Sequence, residues 1–270
     1  MTITLSQINI YPIKSLGNIA LQHAECTTRG LAHDRRFMVV DARHEFLTQR
    51  EYPKMATVWV EMEYDLITLS APDCQPVSFP AKPAPLPGRT VKVWASHVHA
   101  QTVTPEADEW ISAYLGQQVH LVYMPDHAER RVNPAFVLNG EIVSFADGYP
   151  FLLTSEASLN DLNTRIIKQN GQPVPMNRFR PNLVVQGSEP FAEDNWKEFI
   201  IGDTHFRAVK ACARCQVTTT DQATGEIRGP QPLQTLATYR NRLGDVMFGI
   251  NLLPTRLGKI CIGDEVKMRN

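Results

Sequence analysis

No stretch of eighteen consecutive apolar residues occurs in this 270-residue chain, so a membrane-spanning helix is not expected. The opening Met1-Thr2-Ile3-Thr4-Leu5-Ser6 lacks the basic segment and apolar run of a secretory signal. Charge of one sign is also missing. Lys and Arg number 27 against 28 Asp and Glu, and the formal net charge of -1 leaves no broad basic face for nucleic acid. Nor is there a P-loop, a dinucleotide-binding glycine pattern, a Gly-x-Ser-x-Gly elbow or a Ser-His-Asp order. Without an export signal the expected location is cytoplasmic and reducing, and the 5 cysteines are expected to be free thiols.

What is present is a succession of short alternating apolar runs, at 8–11, 37–40, 57–60, 66–69, 91–94, 183–185, 199–201 and 216–220. Most are bounded by Gly, Pro, Asp or Asn, the pattern of strands. A doubly wound fold would need a helix after most of them. Only three segments read as helices. Thr104 caps the first, Pro105 opens it and Gly116 ends it; the second starts near Thr154 or Ser155 and stops by Gly171; the third begins around Pro232. The expected class is mainly β with a few helices (α+β). Gly202-Asp203 and Gly263-Asp264 each sit between apolar alternations, which suggests tight turns in a barrel-like sheet. Six prolines between 71 and 88 read as an irregular surface excursion. A soft boundary falls near Met124-Pro125-Asp126-His127, giving units 1–122 and 123–270, with residues 1–35 able to pack against the second.

Cys212-Ala213-Arg214-Cys215 is the segment richest in chemistry. A thiolate is a nucleophile and a soft metal ligand, and Arg214 and Lys210 offer the positive charge that favours it. The spacing is compatible with a redox dithiol, half of a zinc site, one thiolate on a redox metal, or two buried thiols at a strand end. The strand-like run at 216–220 after the pair argues against the helix that a thioredoxin-type dithiol requires. Lys14-Ser15, with Gly17 nearby, suits an oxyanion in a turn. Arg35 and Arg36 precede one strand, and Arg178, Arg180 and Asn182 precede another; an arginine fork grips phosphate in bidentate fashion. The remaining candidates have plainer expectations. Arg130-Arg131 reads as surface charge or as ion-pair partners. Glu193-Asp194 reads as a solvated loop, and His97 with His99 lacks a third metal ligand. Asp221 fits a turn before Thr224-Gly225, and Cys26, Cys74 and Cys261 fit core or strand positions.

Five ordered motifs carry a family resemblance. They are Tyr11-Pro12-Ile13-Lys14-Ser15, Gly30-Leu31-Ala32-His33-Asp34-Arg35-Arg36-Phe37, Ser144-Phe145-Ala146-Asp147-Gly148-Tyr149-Pro150, Arg178-Phe179-Arg180-Pro181-Asn182, and the Cys212–Cys215 segment with Thr218-Thr219-Thr220-Asp221. Together they resemble the MOSC proteins, and among these the amidoxime-reducing components and their bacterial relatives. The resemblance implies a MOSC β-barrel region beside a smaller β-rich N-terminal unit. It also implies a molybdenum cofactor, a pterin dithiolene with a terminal phosphate. Cys215 matches the metal-ligating and catalytic position; Lys14, Ser15, Arg35, Arg180 and Asn182 match cofactor-holding positions; Asp147 and Tyr149 match the loop lining the pterin. The implied activity is reduction of small N-hydroxylated substrates such as amidoximes, hydroxylamines and N-hydroxylated bases. The alternative is a cofactor or sulfur carrier with a persulfide on Cys215. Departures from the pattern are Ala213 between the cysteines and Arg36 in place of an aromatic residue. The chain also lacks the four spaced cysteines of a two-iron two-sulfur domain. With no iron-sulfur cluster in this chain, electrons are expected from a separate electron-transfer protein: a ferredoxin, flavodoxin or reductase.

Overall fold

The computed structural model describes residues 2–137 and 140–269 and is an α+β fold dominated by strands. The largest sheet has nine strands. Eight run in the order Val266–Arg269, Glu198–Ile201, Thr204–Ala213, Asp245–Arg256, Phe151–Ser155, Leu183–Gln186, Thr4–Ile10 and Ile19–Leu21. Asn241–Arg242 pairs with Asp245–Arg256 beside this path. Strand Thr4–Ile10 joins residues far along the chain through antiparallel pairing with Leu183–Gln186. A bulge between Leu5 and Gln7 lets Leu5, Ile8 and Ile10 meet Phe151, Leu183, Phe206 and Leu252 in one apolar core.

A second core lies between a four-stranded sheet (Phe37–Asp41, Val119–Tyr123, Ser96–Thr102, Gly88–Val93) and a three-stranded one (Trp59–Glu63, Leu66–Ala71, Cys74–Pro80). Ile13, Phe37, Ile67, Phe79, Ile111 and Leu121 fill it. The chain therefore leaves one core at Ile10 and enters the other at Ile13. Lys14 and Ser15 follow directly at the seam.

The three helices lie where local chemistry marks them. Helix α1, Pro105–Leu115, starts with the Thr104 hydroxyl accepting from Ala107 N and ends at left-handed Gly116 (φ 74°). Helix α2, Glu156–Lys168, is capped by Ser155 and forms the crossover between the parallel strands Phe151–Ser155 and Leu183–Gln186. Helix α3, Leu233–Ala237, follows Pro232.

Four sequence expectations need correction. Residues Gln216–Thr219 form a 3-10 turn, not a strand. The hydroxyls of Thr218 and Thr219 donate to the carbonyls of Cys215 and Gln216, three residues back, which competes with ladder formation. The proline-rich stretch contributes a strand, Cys74–Pro80. It lies at a sheet edge and pairs only with Leu66–Ala71, so Pro76 and Pro80 need no partner on the open side. Gly202-Asp203 does join a hairpin, but Gly263-Asp264 turns the chain between two sheets: Lys259–Cys261 pairs with His23–Thr27 and Val266–Arg269 with Glu198–Ile201. Glu193 and Asp194 are not a solvated loop. Glu193 is fully buried and accepts from the Ser158 hydroxyl at 2.7 Å, and the nearly buried Asp194 pairs with Arg240 at 2.7 Å and Arg242 at 2.9 Å.

Candidate functional site

Lys14, Ser15, Arg35, Asp147, Tyr149, Arg180, Asn182 and Cys215 all line one cavity of about 280 Å³ at the seam between the cores. Three of them hold a left-handed backbone that a side chain disfavours: Ser15 (φ 70°), Arg35 (φ 47°) and Arg180 (φ 53°). Local bonds fix each one. Gln49 Nε2 donates to Ser15 O at 2.7 Å, Arg35 N donates to Tyr11 O at 2.8 Å, and Arg180 N closes a turn on Asn177 O at 3.2 Å. Such strain at a pocket wall is a common mark of function.

Six cations line the cavity, namely Lys14, Arg35, Arg50, Arg180, Lys210 and Arg214, against the single carboxylate of Asp147. Lys14 is buried; its Nζ donates to Phe145 O at 3.0 Å and pairs with Asp147. Burial pushes the Lys14 ammonium down from its ordinary value, and the Asp147 charge opposes that. Asp147 stands at the lip. Partial loss of hydration pushes its carboxyl up, but the Lys14 charge, the Lys14 and Trp94 hydrogen bonds and the Arg35 charge win, holding it well below the carboxylate range. Arg35 Nη1 donates to both Asp34 carboxylate oxygens, at 2.6 and 2.8 Å, and Nη2 donates to Arg180 O at 3.3 Å. Arg180 is different. It donates to Leu16 O at 2.7 Å and Gln222 Oε1 at 3.2 Å, and among the described residues no carboxylate pairs with it. Burial draws its guanidinium down to about 10, which leaves it charged at neutral pH. A partly buried cation without a counter-charge, facing a pocket, is complementary to an anion.

The opposite wall carries the cysteines. Strand Thr204–Ala213 pairs with Asp245–Arg256 until a bulge sets Phe248 and Gly249 opposite Cys212, between the pairs Ala211–Ile250 and Ala213–Met247. Gly249 adopts φ 80°, and a Cβ there would lie 2.7 Å from Leu153 O. The ladder closes with Arg214 N donating to Val246 O at 2.7 Å, and the chain turns away through Cys215. Cys215 is exposed in the cavity and Cys212 is half-buried. Arg214 Nη1 donates to Cys212 Sγ at 2.9 Å and Nη2 to Phe179 O at 2.6 Å, so its charge sits on the first thiol rather than the second.

Asn182 lines the floor, but its amide already serves the scaffold: Nδ2 donates to Asn9 O and Oδ1 accepts from Leu152 N. Tyr149 sits on the rim, half-buried, edge-on to Phe136, with its hydroxyl pushed up by burial and by the nearby Cys212. Other candidates lie elsewhere. Arg36 pairs with Asp126 at 2.8 Å, and Arg178 braces the cysteine loop from behind through Thr219 O and Asp221. Asp221 accepts from Ala223 N and Thr224 N, as a turn residue does. Among the described residues no three His, Cys, Asp or Glu side chains converge on a metal-sized site.

Sequence reasoning passed over Arg130, read as surface charge. It is buried and donates to the carbonyls of Ser144, Ala146 and Asp147, so it holds the loop that carries Asp147 and Tyr149. The signal was alternation: Ala128, Arg130 and Val132 face inward, Glu129 and Arg131 outward. Gln49 and Gln222, bonded to each other beside Ser15 and Arg180, were also missed.

Known proteins share both parts of this arrangement. The family described as MOSC N-terminal beta barrel domain matches residues 2–118, and the MOSC domain matches residues 140–267. "Mitochondrial amidoxime reducing component 2" of Rattus norvegicus is 34% identical over 97% of this chain and 82% of its own length. "Mitochondrial amidoxime-reducing component 1" of Mus musculus is 35% identical over 88% of this chain and 71% of its own. "Molybdenum cofactor sulfurase" of Oryza sativa subsp. japonica is 32% identical over 93% of this chain, which spans 32% of that protein.

Proposed function

This chain belongs to the MOSC family, and on that membership and the chemistry of its cleft we propose that it is a molybdenum-cofactor-dependent oxidoreductase that reduces N-hydroxylated compounds, with electrons from a separate donor protein. Amidoximes, hydroxylamines and N-hydroxylated bases are the substrate classes. The observation that carries the reading is the presence, in one cleft, of an exposed Cys215 thiol and a guanidinium, Arg180, that makes no direct ion pair with a carboxylate among the described residues.

The residues suit the cofactor. A metal held by protein donors alone would be under-coordinated here, since Cys215 belongs to no group of three or more His, Cys, Asp or Glu side chains among the described residues. A metal that arrives with its own dithiolene ligands needs only one thiolate from the chain. Arg180, Arg35, Lys14 and Ser15 would hold the phosphate, and Asp147 and Tyr149 would flank the pterin. When bound, the cofactor supplies two-electron removal of oxygen from nitrogen, so that R–NH–OH with two electrons and two protons gives R–NH2 and water. The chain contributes the binding wall, a single thiolate ligand and a cleft that limits water. Asp147, held ionised beside Lys14, acts as an acceptor and not as a proton source near neutral pH. We place the division between units at 122/123, with residues 1–35 shared. The unmatched span between 118 and 140 and the pairing of Thr4–Ile10 with Leu183–Gln186 support this.

The test is metal and pterin analysis of purified wild type and Cys215→Ala, with reduction of a simple amidoxime by an artificial donor. The expected result is molybdenum and activity in the wild type and loss of both in the variant. The likeness to the rice sulfurase, with the exposure of Cys215, favours a sulfur carrier as the second reading. Cyanide-releasable sulfur on Cys215 without molybdenum would establish it and remove the first.

A further inference from the structure

Tyr11 is buried at the end of strand Thr4–Ile10, where the chain passes between the two cores. It touches the two segments that bring Arg35 and Arg180 to the cleft. The guanidinium carbon of Arg35 lies over its ring at 4.1 Å and that of Arg180 at 4.3 Å. Its hydroxyl donates to the carbonyl of Pro181, the residue after Arg180, at 3.2 Å. Its N–H donates to Asp34, the Arg35 partner, at 2.8 Å, and its carbonyl accepts from Arg35 N. We propose that Tyr11 is a positioning residue whose ring sets Arg35 and Arg180 in one fixed arrangement for an anionic group.

Two guanidiniums repel when gathered in one partly buried place. The negative face of an aromatic ring offsets that repulsion and fixes where each cation sits, while adding no carboxylate to compete with the incoming anion. Asp34 pairs directly with Arg35, while Arg180 is held by the ring and by neutral acceptors and feels the Asp34 and Asp147 charges only from a distance. Because both arginines also carry left-handed backbones, their turns need outside support, and Tyr11 supplies it, through its backbone to the Arg35 turn and its hydroxyl to the Pro181 carbonyl. A preformed anion clamp loses less freedom on binding than one that must assemble. The inference rests on the proposal that this cleft holds a phosphate-bearing cofactor.

The experiment uses the full chain purified from a host that makes no molybdenum cofactor. Inorganic pyrophosphate is titrated by calorimetry at low salt into wild type, Tyr11→Phe and Tyr11→Leu, each checked for fold by circular dichroism. Tyr11→Phe keeps the ring and is expected to bind within about threefold of wild type. Tyr11→Leu is expected to weaken binding by at least about tenfold, the effect of one misplaced charge-assisted contact. Wild-type affinity in Tyr11→Leu, or an equal loss in Tyr11→Phe, overturns the inference and leaves the cofactor reading standing. A wild type that takes no pyrophosphate overturns the cofactor reading and the inference with it. Should Tyr11→Leu not fold, 13C-tyrosine spectra of wild type decide: the resonance missing from Tyr11→Phe must shift along the calorimetric binding curve, and an unmoved resonance refutes the proposal.

Discussion

Replacing Arg130 by methionine removes four hydrogen bonds, the longest of them from Nε to Ser96 Oγ at 3.4 Å, while keeping most of the apolar stem. Nη1 serves Ser144 O at 3.0 Å and also Ala146 O, and Nη2 serves Asp147 O at 2.6 Å. Ser144 and Ala146 are buried, so water does not replace the donor there, and each abandoned carbonyl costs about 1–3 kcal/mol. Asp147 is exposed, and its carbonyl is rehydrated at little cost. Removing a buried cation returns part of the loss, because burial already disfavours the charged guanidinium. The net expectation is about 2–4 kcal/mol. In a chain of this size that lowers the melting temperature by roughly 10 °C. Arg130→Lys keeps the charge but not the fork and is expected to lose about half as much. Thermal unfolding by circular dichroism gives the magnitude. Amide exchange across residues 144–149 locates it, and faster exchange confined to that loop is the expected pattern. A methionine variant that melts within about 1 °C of wild type, with unchanged exchange, would refute the claim that Arg130 holds the loop.

Two further expectations concern the scaffold. Gly249→Ala forces a Cβ to within 2.7 Å of Leu153 O at a φ of 80°, and it is expected to cost more than about 2 kcal/mol; an unchanged melting temperature would contradict the bulge described here. Burial pushes the Glu193 carboxyl up, against the Ser158 hydrogen bond, so the fold favours its neutral form. That stabilisation is complete below its ordinary value of 4.5 and is lost as pH rises through the raised folded value. Glu193→Gln is therefore expected to gain melting temperature over wild type at about pH 8 relative to about pH 4, and a difference that does not vary with pH would refute it.

Helix α1 was legible because its signals are local: a capping hydroxyl, a proline at the first turn and a glycine that accepts a left-handed backbone. The run at 216–220 was not. Threonine favours strands, and what decides its fate here is hydroxyl bonding to carbonyls three residues back, which alternation cannot reveal. The strand in the proline-rich stretch was hidden because an edge position tolerates residues that a central strand rejects. At the site, the family resemblance singled out Lys14, Ser15, Arg35, Arg180 and Cys215 together, and the structure brings them to one cavity. Arg130 was not, since a buried arginine bonded mainly to main-chain oxygens carries no charged partner in the sequence. Arg180 was expected, but its lack of a direct carboxylate partner among the described residues is a property of the folded arrangement.

Asn182 reaches across 173 positions to the carbonyl of Asn9. A ribosome adding about 5–20 residues each second needs roughly 10–35 s to make the neighbour that strand Thr4–Ile10 requires. During that interval the strand can pair with Ile19–Leu21 but lacks its other neighbour, and Lys14 and Ser15 cannot face Arg180 or Cys215. The cleft is thus assembled late: a nascent chain cannot capture a ligand there prematurely, and loading must follow translation past Cys215.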